Sequence, residues 1–194
     1  MAVDYLIEAV VKGVHLRLQT QEGVFSPAKI DKGTQAMLSV VDFEADDRVL
    51  DLGCGYGVVG IVAASVIGAA NVVMVDIDPL AIHLASKNSV LNGVPDVVIR
   101  QSDGFRDLSE TGFTKILCNP PYHTDFSVAK HFIEKGFNRL VLGGKMYMVV
   151  KRNVWYQNKL ISVFGGVRVH EVDGYYVLCS EKRCSQYARK RKGR

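Results

Sequence analysis

The sequence predicts an α/β fold: a mostly parallel, seven-stranded sheet with helices on both faces and an antiparallel C-terminal hairpin. Three observations carry this expectation. Between about residues 46 and 150, short apolar runs alternate with stretches of helical periodicity, the pattern of parallel strands joined by crossovers. A glycine-rich turn, Gly53-Cys54-Gly55-Tyr56-Gly57, directly follows the first of those runs. Near the end, two alternating runs are separated only by Asp173-Gly174, a strong hairpin signal.

Taken in order, Val14 to Leu18 alternates like a strand and Gly33 to Val41 reads as a helix. Val49-Leu50-Asp51-Leu52 is a buried strand, and the glycine turn leads into a helix through about Ile67. Asn71 to Val75 is the second strand, closed by Asp76. Pro79, suited to a first helical turn, opens a helix that Asn92-Gly93 stops after about Leu91. Val97 to Ile99, Lys115 to Cys118 and Lys145 to Val150 are the next three strands. Ser127 to Leu142 has helical periodicity, with Phe132, Ile133, Phe137 and Leu140 on its buried side and Gly143-Gly144 ending it. The hairpin strands are Val167 to Val172 and Tyr175 to Ser180. Residues 1–181 thus form a single domain, with 1–45 as an N-terminal flank or lid on a core at 46–181, and 182–194 as a basic flexible tail.

With 194 residues, 48% hydrophobic and 23% charged, the chain reads as one globular domain with a substantial core. No apolar stretch is long enough for a membrane span and no signal peptide opens the chain, so a cytoplasmic location is expected. Cys54, Cys118, Cys179 and Cys184 form no Cys-x-x-Cys pair, and His15, His83, His123, His131 and His170 are scattered. Reduced thiols and no metal are the expectation. The net charge of +4 is a property of the tail. Lys182 to Arg194 holds seven of the 24 basic residues and no acid, which leaves 17 against 20 acids elsewhere, a balance of −3. Arg189-Lys190-Arg191-Lys192 suits a phosphate-binding arm, and equally a solvated tail.

Ligands of such sheets bind beyond the carboxyl ends of the strands. Gly53, Gly55 and Gly57 lie there and let the backbone approach a ligand closely. Asp76, followed by Ile77, closes the second strand, where its carboxylate can accept from two ribose hydroxyls. Gly55-x-Gly57-x-x-Gly60 with an acid farther on also fits a dinucleotide fingerprint, so NAD is an alternative. Three features favour S-adenosylmethionine. Asp51 precedes the loop, suited to an ammonium group and repelled by a pyrophosphate. Ser102-Asp103-Gly104 follows the third strand, in position to read an adenine amino group. Asn119-Pro120-Pro121-Tyr122 then follows Ile116-Leu117-Cys118, and hydride transfer has no use for that corner.

Two prolines without amide protons cannot continue a strand, so the chain turns stiffly after Asn119. The Asn119 side-chain oxygen and the Pro120 carbonyl can accept the two N–H groups of a planar amine and turn its lone pair toward a methyl carbon. Tyr122 can stack on the base, a contact worth roughly 1–3 kcal/mol. Catalysis is then alignment and desolvation, and a helical target must be flipped out. Phe25, Lys29 and His123 are the remaining substrate-side candidates, with Asp125 beside them, although Lys29, His123 and Asp125 also read as loop surface. Trp155 reads as core or pocket wall.

Together these residues resemble class I S-adenosylmethionine-dependent methyltransferases, with their Rossmann-like core, from about Asp46 to Ser180. Gly23-Val24-Phe25-Ser26 and Asp31-Lys32-Gly33-Thr34, ahead of Val49-Leu50-Asp51-Leu52-Gly53-Cys54-Gly55, narrow the likeness to the methyltransferase-small family. Its best-known members are ribosomal RNA guanine-N2 methyltransferases. The resemblance implies that Asp51, Gly53, Gly55 and Asp76 bind the cofactor, Asp103 meets its adenine, and Asn119 to Tyr122 form the catalytic corner. It also implies ribosomal RNA as partner. Two departures stand out. Such enzymes typically carry a second, degenerate copy of the domain, which the basic tail is expected to replace here. They also commonly have Phe where this chain has Tyr122, a residue frequent in adenine-N6 and glutamine-amide methyltransferases, so those targets remain alternatives.

Overall fold

The computed structural model describes residues 4–120 and 126–188. Its elements run β1 (Asp4–Val11), β2 (Val14–Gln21), α1 (Lys32–Val40), β3 (Val49–Leu52), α2 (Val58–Ile67), β4 (Val72–Asp76), α3 (Pro79–Leu91), β5 (Val98–Gln101), β6 (Phe113–Cys118), α4 (Phe126–Arg139), β7 (Leu140–Val150), α5 (Val154–Phe164), β8 (Arg168–Val172) and β9 (Tyr175–Glu181). Strands β3 to β9 form one sheet in the order β5-β4-β3-β6-β7-β9-β8. The first five of these run parallel to one another, and β9 pairs antiparallel with both β7 and β8. This is the seven-stranded, Rossmann-like arrangement. It has a topological switch at β3, where the chain leaves to one side for β4 and later returns on the other as β6, opening a crevice at the carboxyl ends.

Alternation along the strands feeds two cores. Val49, Met74, Leu117, Tyr147, Val149 and Val177 pack under α1, α2 and α3. Leu50, Leu52, Val73, Ile116, Met146, Met148 and Leu178 pack under α4 and α5. Both faces being covered explains why β3 is buried at all four positions. At the opposite end from the crevice, Lys115 and Asp47 form a buried ion pair. Burial alone would raise the Asp47 carboxyl, but the Glu44 amide, Lys115 and the Thr114 hydroxyl outweigh it and hold its pKa below the ordinary 3.8.

The front section is a separate two-stranded hairpin, β1 with β2, turned by Lys12 and Gly13 at φ of 51° and 78°. The sequence reading finds only β2, because Leu6 and Val10 break the polar alternation of β1 while lying exposed. Three polar side chains fasten the hairpin and the loop after it to the core. Asn88 exchanges bonds with the Gln19 backbone (2.8 and 2.9 Å), and Asn92 does the same with Arg17 (2.9 and 2.8 Å). Tyr56 Oη lies 3.3 Å from the carbonyls of both Ser26 and Lys29.

Three expectations are corrected. Helix α4 ends at Arg139 rather than Leu142, because Leu140 pairs with Phe113 and residues 141–144 bulge out, with Gly143 at φ 82°. Helix α5 goes unassigned in the sequence reading, although Tyr156, Leu160, Val163 and Phe164 mark one buried face. The third concerns the tail expected to be flexible from Lys182. Through Ala188 it is docked: Lys182 exchanges backbone bonds with Gly143 and Gly144 (2.8 Å each), and Tyr187 donates to the Glu134 carbonyl (2.8 Å) while packing edge-on to Phe137. Trp155 is half-buried against the same core and stacks on Phe126 with centroids 4.2 Å apart.

Candidate active site

A cavity of about 430 Å³ opens at the carboxyl ends of β3, β4 and β6. It is built from residues far apart in sequence, each brought there by the end of an element. Asp51, on β3, is buried, and its Oδ2 accepts from the Gly60 amide at 2.8 Å in the first turn of α2. Gly57 caps that helix at φ 99°, a conformation that a side chain would strain. Asp76, ending β4, accepts from the Gly55 amide at 2.8 Å and from the Asp78 amide at 3.0 Å. Its carboxylate therefore ties the glycine turn to the start of α3.

After β5, Ser102 shapes the loop: its amide donates to the Asp76 carbonyl (2.8 Å), its hydroxyl to Gly104, and it accepts from the Asp107 amide. Asp103 lines the cavity and pairs with Arg106 at 3.3 Å. Ile77, largely exposed, and Phe132 of α4 supply apolar wall. Asn119 and Pro120 follow the end of β6 and close the far side, and Phe25 and Asp31 come from the front section.

The cavity thus gathers the expected Asp51, Gly53, Gly55, Asp76, Ile77, Ser102, Asp103, Gly104, Asn119, Pro120 and Phe25. Gly57 shapes the loop without lining the cavity. Lys29 does not line it either: its side chain is exposed, and its carbonyl accepts from the Ser26 hydroxyl at 2.7 Å. Pro121, Tyr122, His123 and Asp125 lie outside the described residues. Missing from the sequence reading as site residues are Asp31, Thr34, Met37, Tyr56 and Phe132. For Asp31 and Thr34 a signal existed, an N-cap acid with Thr three residues on.

Four carboxylates, those of Asp31, Asp51, Asp76 and Asp103, line the cavity with no Lys or Arg among the described residues. Such a site repels a pyrophosphate and favours a cationic ligand. Asp51 shows the strain of this arrangement. Burial first, and the nearby Asp76 charge as well, push its pKa up to about 7 against the opposing Gly60 amide bond. Burial also raises the Cys54 and Cys118 thiols well above 9.0, so neither offers a thiolate nucleophile at neutral pH. Tyr56 is pushed up to about 12, mainly by burial, and stays a neutral phenol. Among the described residues no group of metal-binding side chains occurs, and no helix is long and apolar enough to cross a membrane.

Fold and cavity together define a Rossmann-like methyltransferase architecture, and sequence comparison narrows the class. The chain belongs to the methyltransferase small domain family, whose model matches residues 15–179. It is 33% identical over 177 residues to ribosomal RNA small subunit methyltransferase C of Pseudoalteromonas atlantica, covering 89% of this chain and 51% of that protein. It is 31% identical over 169 residues to YbxB of Bacillus subtilis, an uncharacterized protein, covering 84% of each. Among solved structures, the T. thermophilus 16S rRNA N2-guanine methyltransferase RsmC, in complex with AdoMet and guanosine, superposes with a TM-score of 0.77 at 27% identity. That match covers 94% of this chain and 52% of the other. The chain spans about half the length of these ribosomal RNA methyltransferase relatives.

Proposed function

We propose that this protein is an S-adenosylmethionine-dependent RNA methyltransferase acting on the exocyclic N2 of guanine in ribosomal RNA, in the cytoplasm. The observation that carries the reading is a single cavity that joins a cation-favouring, carboxylate-lined floor to the Asn119-Pro120 corner. The relatives named for ribosomal RNA methylation support the substrate class. Residues 1–181 act as one catalytic unit, since the front section contributes Phe25, Asp31 and Thr34 to the same cavity.

The residues present fit the cofactor. Asp51 would offer a buried carboxylate to its ammonium group, Asp76 would hold its ribose and Asp103 its adenine amine, with Ile77 and Phe132 supplying apolar wall for the ring. When bound, S-adenosylmethionine would supply a methyl activated by its sulfonium: the N–C bond forms as the S–C bond breaks, leaving S-adenosylhomocysteine, and the methylated amine gives up one N–H proton to water as the product leaves. The chain's own part is alignment and exclusion of water. Asn119 Oδ1 and the Pro120 carbonyl accept the two amine hydrogens, orienting the lone pair toward the methyl position. Tyr122, outside the described residues, is the aromatic side chain that the sequence offers for stacking on a flipped base. Tyr122 also keeps adenine N6 as the competing target, because tyrosine at this corner is frequent in adenine-N6 enzymes.

The test is transfer of labelled methyl to ribosomal RNA by the native protein and by Asn119→Ala. Transfer is expected to fall by about 100-fold or more, with cofactor affinity measured by calorimetry held within about twofold. A fully active Asn119→Ala protein contradicts the assigned role.

A further inference from the structure

The Asn119 side chain does not stand by itself. Its Nδ2 donates to Asp31 Oδ2 at 2.9 Å and to Thr34 Oγ1 at 3.1 Å. Asp31 is the N-cap of α1, and the same Oδ2 accepts from the Thr34 amide at 2.9 Å. One helical turn therefore places a carboxylate and a hydroxyl together, because the N-cap and the third residue of a helix lie side by side. Both residues line the cavity, and Thr34 is 8% exposed.

We propose that Asp31 and Thr34 are positioning residues that fix the rotamer of the Asn119 amide, presenting Oδ1 and not Nδ2 to the amine being methylated. The two ends of a carboxamide are nearly the same size and exchange by a half-turn of one bond, so only their partners decide which is presented. An ionised carboxylate accepts and cannot donate. The end of Asn119 facing Asp31 is therefore its NH2, and the opposite end is the oxygen. A flipped amide sets lone pairs against lone pairs at Asp31 and, on the other side, N–H against the N–H of the amine. The front section thereby becomes part of the catalytic apparatus. Tyr56, from the glycine turn, braces the loop that leads into Asp31 through the carbonyls of Ser26 and Lys29. This inference rests on the reading of Asn119 as the acceptor of the substrate amine.

Asp31→Ser keeps an N-cap for α1 and withdraws the carboxylate from Asn119. Thr34→Val keeps the shape and removes the acceptor. Each is expected to lower kcat by about 10–100-fold, a larger factor than any weakening of cofactor Kd, and Thr34→Ser to restore it. The specific test is an exchange of partners. Asn119→Asp alone sets two carboxylates at the 2.9 Å contact and is expected to be inactive. Adding Asp31→Asn returns a donor–acceptor pair at that contact with an oxygen still facing the substrate, gives up the cap bond from the Thr34 amide because the Asn nitrogen cannot accept it, and is expected to recover at least about tenfold in kcat over Asn119→Asp. No recovery, together with wild-type kcat in Asp31→Ser, overturns the proposal. A second readout needs no substrate: the Asn119 side-chain amide protons in 15N-edited NMR of the native protein. Slow exchange that is lost in Asp31→Ser supports the clamp, and fast exchange in both overturns it. An RNA that takes no methyl from the native protein contradicts the functional reading alone, and the amide protons still decide the clamp.

Discussion

At the scale of single residues, the cavity floor trades stability for ligand binding. Asp51 has a folded pKa of about 7 against the ordinary 3.8. Between those values the native state holds a proton that the unfolded chain has lost, so this group lowers stability as pH rises through that window. The penalty is absent below the lower value and complete above the higher one. Asp51→Asn should therefore stabilise the ligand-free protein at pH 8 by about 2–4 kcal/mol and change little at pH 4. The same variant should weaken S-adenosylmethionine binding by about 100-fold. Urea titrations at the two pH values and calorimetry check both halves. Equal stability of variant and native protein at pH 8 refutes the electrostatic account. The sequence showed that Asp51 precedes the glycine turn. It did not show the carboxylate locked to the Gly60 amide, because that bond needs α2 to start where Gly57 lets it.

Among elements, the contact between α2 and β4 sets the floor's geometry. A Cβ on Gly60 would stand 2.2 Å from Met74 Sδ and 3.3 Å from Asp51 Oδ2, and Met74 is fully buried. Gly60→Ala should cost about 1–3 kcal/mol through overpacking and weaken cofactor binding, read from denaturation midpoints and calorimetry. A midpoint within error of the native value would show that Met74 yields freely. Gly60 read in the sequence as part of a phosphate fingerprint, and in the fold it is a packing glycine. Strands β3 to β6 and the Asp173-Gly174 hairpin were legible because their periodicity and turn residues are local. Helix α4 was legible except at its end. Arg139 and Leu140 part company there because Leu140 pairs with Phe113, 27 positions earlier in the chain, and no local pattern announces such a contact. Asp31 and Thr34 were hidden as site residues for the same reason, their partner lying 88 and 85 residues away.

For the whole molecule, charge is divided between a carboxylate-lined cleft and a basic end. Tyr187 anchors the chain to α4, so residues 183–188 and residues 189–194 carry separate predictions. Removing residues 189–194, which hold five Lys/Arg, should flatten the salt dependence of RNA affinity by about three in log–log slope. Tm and cofactor binding should not change. Removal from Arg183 onward should lower Tm as well, because the Tyr187 contacts go with it. An unchanged salt slope in the shorter deletion would mean that the tail does not meet phosphates. The hairpin of β1 and β2, pinned by Asn88 and Asn92, and α1, tied by Asp31 to Asn119, make the front section a fixed wall of the cavity. The proposed function gives that wall, the cavity floor and the Asn119-Pro120 corner one acceptor, a planar exocyclic amine. The most direct measurement incubates the protein with labelled S-adenosylmethionine and ribosomal RNA, free and in assembled subunits, from cells lacking it, then digests the product to nucleosides. N2-methylguanosine is the predicted product; N6-methyladenosine, or label only in protein, contradicts it.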